Sequence, residues 1–284
     1  IRATFIDTTA PFDHPEIKEA LDLCLSCKGC TAECPSGVDM ASMKAEFLYQ
    51  YQKTNGVPLR SKAFAYINEL NELGAKVPGI ANFFLSNSLT GGLMKSILNV
   101  APSRNLPEIS PISLRKWYKK NYASLPGPAK AIKSVYFFVD EFTNYNDTQI
   151  GIKAVSLLKK LGYEVKVIDH EESGRSALSK GLLQKAKKHA ESNVRTFEKL
   201  IDGNTPLIGL EPSAILSFRD EYPRIVSSEL VPAAKKLKFH VKLIDEFLGQ
   251  EVAVGNIKSE SFTSKSQKIK LHGHCHQKAL SSLT

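Results

Sequence analysis

The chain is poor in cysteine, methionine and tryptophan, with five, three and one among its 284 residues. No apolar run approaches the roughly 18 residues a membrane-spanning helix needs, so none is expected within these residues. No Ser-His-Asp order, phosphate loop or Gly-x-Gly-x-x-Gly is present. The sequence therefore offers neither a hydrolase triad nor a nucleotide cradle, and nothing in it looks able to perform substrate chemistry alone. The cysteines form no disulfide-like framework, which favours a reducing, cytoplasmic setting. Lysine and arginine exceed aspartate and glutamate by 38 to 29, a net charge of +9. The lysines are scattered, and aromatics do not interleave with them as single-strand binding requires. The excess reads as a solvated basic surface, and no nucleic-acid partner is expected.

What is there is concentrated. Four of the five cysteines lie in Cys24-Leu-Ser-Cys27-Lys-Gly-Cys30-Thr-Ala-Glu-Cys34-Pro35. This is C-x2-C-x2-C-x3-C-P, the spacing of bacterial iron–sulfur proteins. Two intervening residues let successive thiolates reach neighbouring irons of one cube. Gly29 permits close backbone approach to inorganic sulfur, and Pro35 turns the chain away after the last ligand. Soft thiolates select iron–sulfur clusters or zinc. Zinc motifs, however, usually pair two C-x2-C units across a long spacer or admit histidine. A second copy of the motif is absent. In a two-cluster arrangement Cys34 would serve the other cluster, so an upstream segment carrying the partner motif is expected. On that reading the isolated chain holds no stable pair of clusters.

At 284 residues the chain has room for two domains. Apolar periodicity predicts helices over 14–24, 40–51 (capped by Asp39), 58–74, 80–89 and 92–100. The pieces within 80–100 carry Phe83, Phe84, Leu93, Met94, Ile97 and Leu98, a face for a core, a partner or a membrane surface. Prolines 102, 107, 111, 126 and 128 surround a basic segment, 114–122, and suggest an extended connection with a domain boundary. Beyond it, strands at 134–139 and 163–168 flank a helix at 147–161, a unit that implies a parallel sheet. A helix over 180–200, a strand at 206–210, helices at 214–220 and 229–237, and strands at 240–244 and 269–271 complete the pattern. Asp140, Glu141, Asp169, His170, Glu171 and Glu172 fall at strand ends. They are read either as a ligand crevice or, more commonly, as caps and solvated turns. Arg175 and Arg219 are candidates for anion contacts or for pairing with those strand-end carboxylates, pairing being the preferred reading.

The cysteine run with Asp39-Met-Ala-Ser-Met-Lys-Ala-Glu46-Phe-Leu resembles the iron–sulfur portion of FAD-linked dehydrogenases acting on D-lactate or other D-2-hydroxy acids. Gly209-Leu-Glu-Pro-Ser213 with Phe218-Arg-Asp-Glu221 resembles a second signature of these enzymes, and His272-Gly-His-Cys275-His-Gln-Lys-Ala279 a third. The module recurs in heterodisulfide reductase and in the iron–sulfur subunits of glycolate oxidase and anaerobic glycerol-3-phosphate dehydrogenase. The resemblance implies an α/β fold with an N-terminal all-α part. A helical ferredoxin-like segment (1–127) precedes a parallel-sheet cysteine-rich (CCG-type) domain (128–284), truncated at its C-terminus. It implies an oxidoreductase whose electron-transfer part this chain is, with a 4Fe-4S cluster on Cys24, Cys27, Cys30 and Cys34 and no catalytic residue. FAD would sit in an oxidase domain or subunit outside this chain. A quinone or a protein would accept the electrons, at a cytoplasmic location peripheral to the inner face of the membrane.

Two departures stand out. The family's Cys-Cys-Gly-Arg is here Glu172-Ser173-Gly174-Arg175, and its Glu-Pro-Ser-Cys is Glu211-Pro212-Ser213-Ala214. Cys275 then lacks a sulfur partner. With His272, His274 and His276 it is a candidate for zinc, copper or redox chemistry, though a site left incomplete is the preferred reading. The alternative for the whole chain is a zinc-stabilised or metal-free interaction module that has lost the redox role.

Overall fold

The computed structural model describes residues 11–281. Its amino-terminal half is helical: α1 (Pro15–Asp22), α2 (Gly29–Glu33), α3 (Met40–Asn55), α4 (Leu59–Ala65), α5 (Ile67–Gly74), α6 (Pro78–Ser86), α7 (Ser88–Ile97) and α8 (Leu114–Asn121). The α/β half follows as β1 (Lys133–Phe137), α9 (Glu141–Tyr145), α10 (Thr148–Lys160), β2 (Tyr163–Lys166), α11 (Arg175–Ser179) and α12 (Leu183–Phe197). It continues with β3 (Leu207–Gly209), α13 (Pro212–Ile215), α14 (Tyr222–Ile225), α15 (Val231–Leu237), β4 (Val241–Leu243), α16 (Ile244–Ala253) and α17 (Cys275–Leu280). The fold is α/β, with one four-stranded sheet in the order β2-β1-β3-β4. All its pairings are parallel, as the strand–helix–strand pattern requires.

One face of the sheet buries Val135, Phe137, Val165 and Ile208 against Val155, Leu158 and Phe247. Leu207, Val241, Leu243, Phe197 and Phe218 fill the other side. Each face is a near-continuous apolar layer because helices cover both.

Several expectations met local physics that periodicity does not report. The helix over 58–74 breaks at Tyr66, whose φ of −105° and ψ of 26° end α4 and begin α5. The helix expected from 180 starts at Leu183 because Gly181 has φ +74°. A Cβ there would also lie 2.6 Å from Leu48 Cβ, so α3 closes on bare backbone. Within the expected connection, Ser113 accepts from Lys116 N–H and starts helix α8, whose Leu114 is fully buried in the sheet's core. Helix α16, where no element was expected, is started by the Glu246 carboxylate accepting from Leu243 N–H. The strand at 269–271 does not form. Ile269 and Leu271 are exposed and pair with no strand, and β-propensity has no force without a ladder to join.

Candidate functional site

The cysteine loop is gripped from both sides. Asp39 caps α3 by accepting from Ser42 N–H at 3.0 Å, and Lys44 of that helix donates to Cys24 O at 2.6 Å. Within the loop, Ser26 (φ +54°) and Lys28 (φ +62°) are both left-handed. For residues with a Cβ this costs of order 1–3 kcal/mol each, and it turns amides inward. Such alternation builds a nest of N–H groups suited to anions and to iron–sulfur sites. Cys24 Sγ accepts from Ser26 N–H within this turn at 3.4 Å, and Cys30 Sγ accepts from Met40 N–H at the start of α3 at 3.3 Å. Amides of Val38, Ser36 and Gly37 hydrogen-bond Cys34 and lower its thiol pKa. All four thiols are half-buried and free of disulfides.

The loop is seated on the carboxyl end of the sheet by one side chain. Lys28 lies between two cysteines of the motif, is 1% exposed, and extends its ammonium across to the α/β half. There it meets Glu221 Oε1 at 3.1 Å and Asp220, with Asp39 at 3.2 Å on the near side. Burial works against its charge, but the three carboxylates outweigh that and raise its pKa. Asp39 also resists burial. Ser42, Lys28 and Arg224 together hold it well below the usual carboxylate range. Arg175 adds a second tie, pairing with Glu221 Oε1 at 2.9 Å and donating to Ser26 O at 3.1 Å. Both arginines do pair with carboxylates, but not with the strand-end ones expected: Arg175 takes Glu221, and Arg219 binds Glu246 at 2.9 Å. Behind the loop, a cavity of about 230 Å³ is lined by Ala41, Ala45, Leu178 and Ile225 with Lys28 and Arg175.

The strand ends resolve mostly as caps. Asp140 accepts from Phe142 and Thr143 N–H and starts α9. Glu141 is 2% exposed and accepts from the Ser173 hydroxyl at 2.7 Å and its N–H at 3.1 Å. Burial, then the charges of Asp140 and Glu172, push its pKa up to about 7. Asp140 is pushed up to about 6, chiefly by burial. Tyr222 donates to Ser173 O at 2.9 Å, while Glu172 takes His189 at 2.9 Å and Lys185. His170 stacks on Phe138 at 4.3 Å, and Asp169 faces Arg115 at 3.5 Å. Ala214 is wholly enclosed in the core.

The carboxy-terminal motif meets the cysteine loop through α17, which packs on α2 and α13. His274 caps α17 by accepting from His276 N–H at 3.2 Å, and Cys275 is exposed. His276 is 6% exposed. Burial and the charges of Arg175 and Lys28 lower its pKa to about 3, so it is neutral, and its Nε2 finds no protein partner. Among the described residues, no three His, Cys, Asp or Glu side chains are gathered as a metal-holding group. Neither Cys24, Cys27, Cys30 and Cys34 nor His272, His274, Cys275 and His276 therefore converge on one point. The cysteine loop suits a cluster in other ways: four soft thiols, amides aimed at three of the sulfurs, and an unpartnered buried histidine nitrogen on the helix packed against it. The ties through Lys28 and Arg175 were missed by sequence reading. The only signal available was a lysine inside a ligand loop.

A cysteine loop docked on the carboxyl edge of a parallel sheet is, in this chain, a portion shared with dehydrogenases. The chain is 28% identical over 276 residues to D-2-hydroxyglutarate dehydrogenase of Escherichia coli (strain K12), covering 93% of this chain and 25% of that protein. It is 26% identical over 276 residues to D-2-hydroxyglutarate dehydrogenase of Haemophilus influenzae (strain ATCC 51907 / DSM 11121 / KW20 / Rd). To one of the subunits of anaerobic glycerol-3-phosphate dehydrogenase of Escherichia coli (strain K12) it is 26% identical over 248 residues, 87% of this chain and 60% of that one. The resemblance read from the three motifs therefore holds, and the chain is homologous to oxidoreductases. It spans about a quarter of the length of the D-2-hydroxyglutarate dehydrogenases it matches. No family model and no solved structure matches.

Proposed function

We propose that this chain is the electron-transfer portion of an FAD-linked dehydrogenase that oxidises a D-2-hydroxy acid, such as D-lactate or D-2-hydroxyglutarate. The observation that carries the reading is the all-thiol loop with amides directed at Cys24, Cys30 and Cys34, in a chain whose relatives are dehydrogenases. Cys24, Cys27, Cys30 and Cys34 would hold the 4Fe-4S cluster, in a ferredoxin-like helical part spanning 1–127, against a CCG-type domain spanning 128–284. When bound, such a cluster supplies a one-electron relay between a flavin and a quinone or protein acceptor.

The chain's own residues do the rest. The amides disperse charge on the sulfurs, which raises a cluster's potential. Lys28 and Arg175 fix the loop against the sheet, so distances to partner redox groups on either side stay constant. FAD and the hydroxy acid belong to the flavin-binding domain or subunit.

The test is anaerobic purification followed by a visible absorption spectrum with iron, sulfide and zinc assays. Iron with acid-labile sulfide supports the proposal. Zinc without sulfide favours the second reading, a zinc-stabilised interaction module, for which the hydrogen-bonded Ser173 and core-packed Ala214 speak.

A further inference from the structure

The sheet ends in two edge strands, β2 and β4. An edge presents N–H and C=O groups to any extended chain that meets it. Along a parallel ladder, alternate residues bond to the neighbour on one side. Ile132 N–H donates to Gly162 O at 2.7 Å, and Leu207 N–H donates to His240 O at 2.9 Å. Val165 in β2, and Val241 and Leu243 in β4, therefore turn their backbone groups outward.

Side chains take those groups. On β2, the Tyr118 hydroxyl donates to Val165 O at 2.6 Å, and Val165 N–H donates to the Tyr122 hydroxyl at 2.7 Å. Tyr118 of α8 and Tyr122 just past its end stack with ring centroids 4.6 Å apart, and Lys159 lies 4.4 Å over the Tyr122 ring. On β4, Arg219 donates twice to Val241 O, at 3.0 and 2.7 Å, while Leu243 N–H donates to Glu246 at 2.8 Å. Arg219 and Glu246 also bind one another at 2.9 Å. Each pair thus offers its edge one donor and one acceptor, as a residue of an added strand would. Helix bulk alone would cover an edge but leave these groups unbonded.

We propose that the two pairs are seals: they occupy the bonding positions of a fifth strand at either edge, and so keep a second copy of this chain from adding its own edge to the sheet. Two copies meeting edge to edge about a two-fold axis would otherwise extend the ladder across the contact. The seals also account for Ile269 and Leu271, which alternate like a strand and follow β4 and α16 in the chain yet stay exposed. Arg219 and Glu246 already fill the β4 edge where that segment would bond. Neither seal includes a cysteine of the loop, so the proposal stands apart from the electron-transfer reading and can be tested whatever the metal content.

The test compares wild type with Tyr118→Phe/Tyr122→Phe and with Arg219→Met/Glu246→Leu. Both double variants leave the +9 net charge unchanged. The first removes only two hydroxyls, whereas Glu246 also accepts from Ser281 just past α17, so the tyrosine pair is the cleaner arm. Melting curves check the fold, and amide hydrogen exchange and sedimentation velocity are followed over a range of chain concentrations. In dilute solution Val165 N–H should exchange at least about ten-fold faster in the tyrosine variant, and Leu243 N–H in the ion-pair variant. As concentration rises, each variant should reach about twice the mass of wild type. Protection of the same amide should then return, because it is bonded across the contact. Unchanged exchange at the freed amide overturns the proposal, and so does faster exchange with no gain in mass. A gain in mass with the amide still exchanging freely also overturns it, because association then runs through apolar surface. Should either variant fail to fold, the other decides, since the two seals share no residue.

Discussion

The cysteine loop and the strand ends beside it carry two of the three sequence motifs, yet one is left receptive and the other is closed. In the loop, three of the four half-buried thiols accept amide hydrogen bonds, and none of the four is in a disulfide. A few residues across the interface, Ser173 is 1% exposed and saturated by Glu141 and Tyr222, while Ala214 is packed among aliphatic and aromatic side chains. The difference lies in what fills each place. At the strand ends a hydroxyl is bonded to a buried carboxyl and a methyl is packed into the core. Around the thiols the backbone is strained.

The contrast can be broken from either side. The largest effect is expected from Cys27→Ala, which should remove essentially all iron and acid-labile sulfide from anaerobically prepared protein while the far-ultraviolet circular dichroism of the α/β half persists. Next is Lys28→Met, which removes the buried cation shared by Glu221, Asp220 and Asp39 and leaves only Arg175 and Arg224 beside them. A loss of about 3–5 kcal/mol in urea unfolding is expected, and a change below about 1 kcal/mol would show that the loop and sheet are not coupled through this residue. Glu141→Gln tests the closed side by pH. The folded state holds the Glu141 proton up to about pH 7, against 4.5 ordinarily. Its contribution to stability is therefore present below pH 4.5 and lost as pH rises to 7. The variant should flatten a decline on the order of 3 kcal/mol over that window. Ala214→Cys should cost about 1–3 kcal/mol through overpacking and bring no metal with it, as assayed by metal analysis. Cys275→Ser, at an exposed position, should stay within about 0.5 kcal/mol of wild type.

Local chemistry in the sequence made much of this readable. The spacing of the cysteines, Asp39 as a cap, and strands of Val, Tyr and Phe separated by an amphipathic helix each act over a few residues. What escaped depends on neighbours far along the chain. Gly181 resembles any helix-adjacent glycine until Leu48 is seen against it. The 269–271 segment alternates like a strand, but no edge receives it. Lys28 reads as one more solvated lysine in a chain with an excess of them, and its partner Asp220 lies 192 residues later with Glu221 beside it. The two strand-end readings weighed for Asp140 differ only in where its oxygens point, and the cap geometry decides it.

That span of 192 residues between Lys28 and Asp220 also sets a schedule. Of the carboxylates that hold Lys28, Asp39 follows within 11 residues, but Asp220 and Glu221 leave the ribosome only after the whole intervening sequence. At ~5–20 residues per second the loop waits roughly 10–40 s before it can close. During that interval its thiols are open to oxidation and to stray metal ions, so loading of the loop belongs after Asp220 and Glu221 have emerged and the loop has docked.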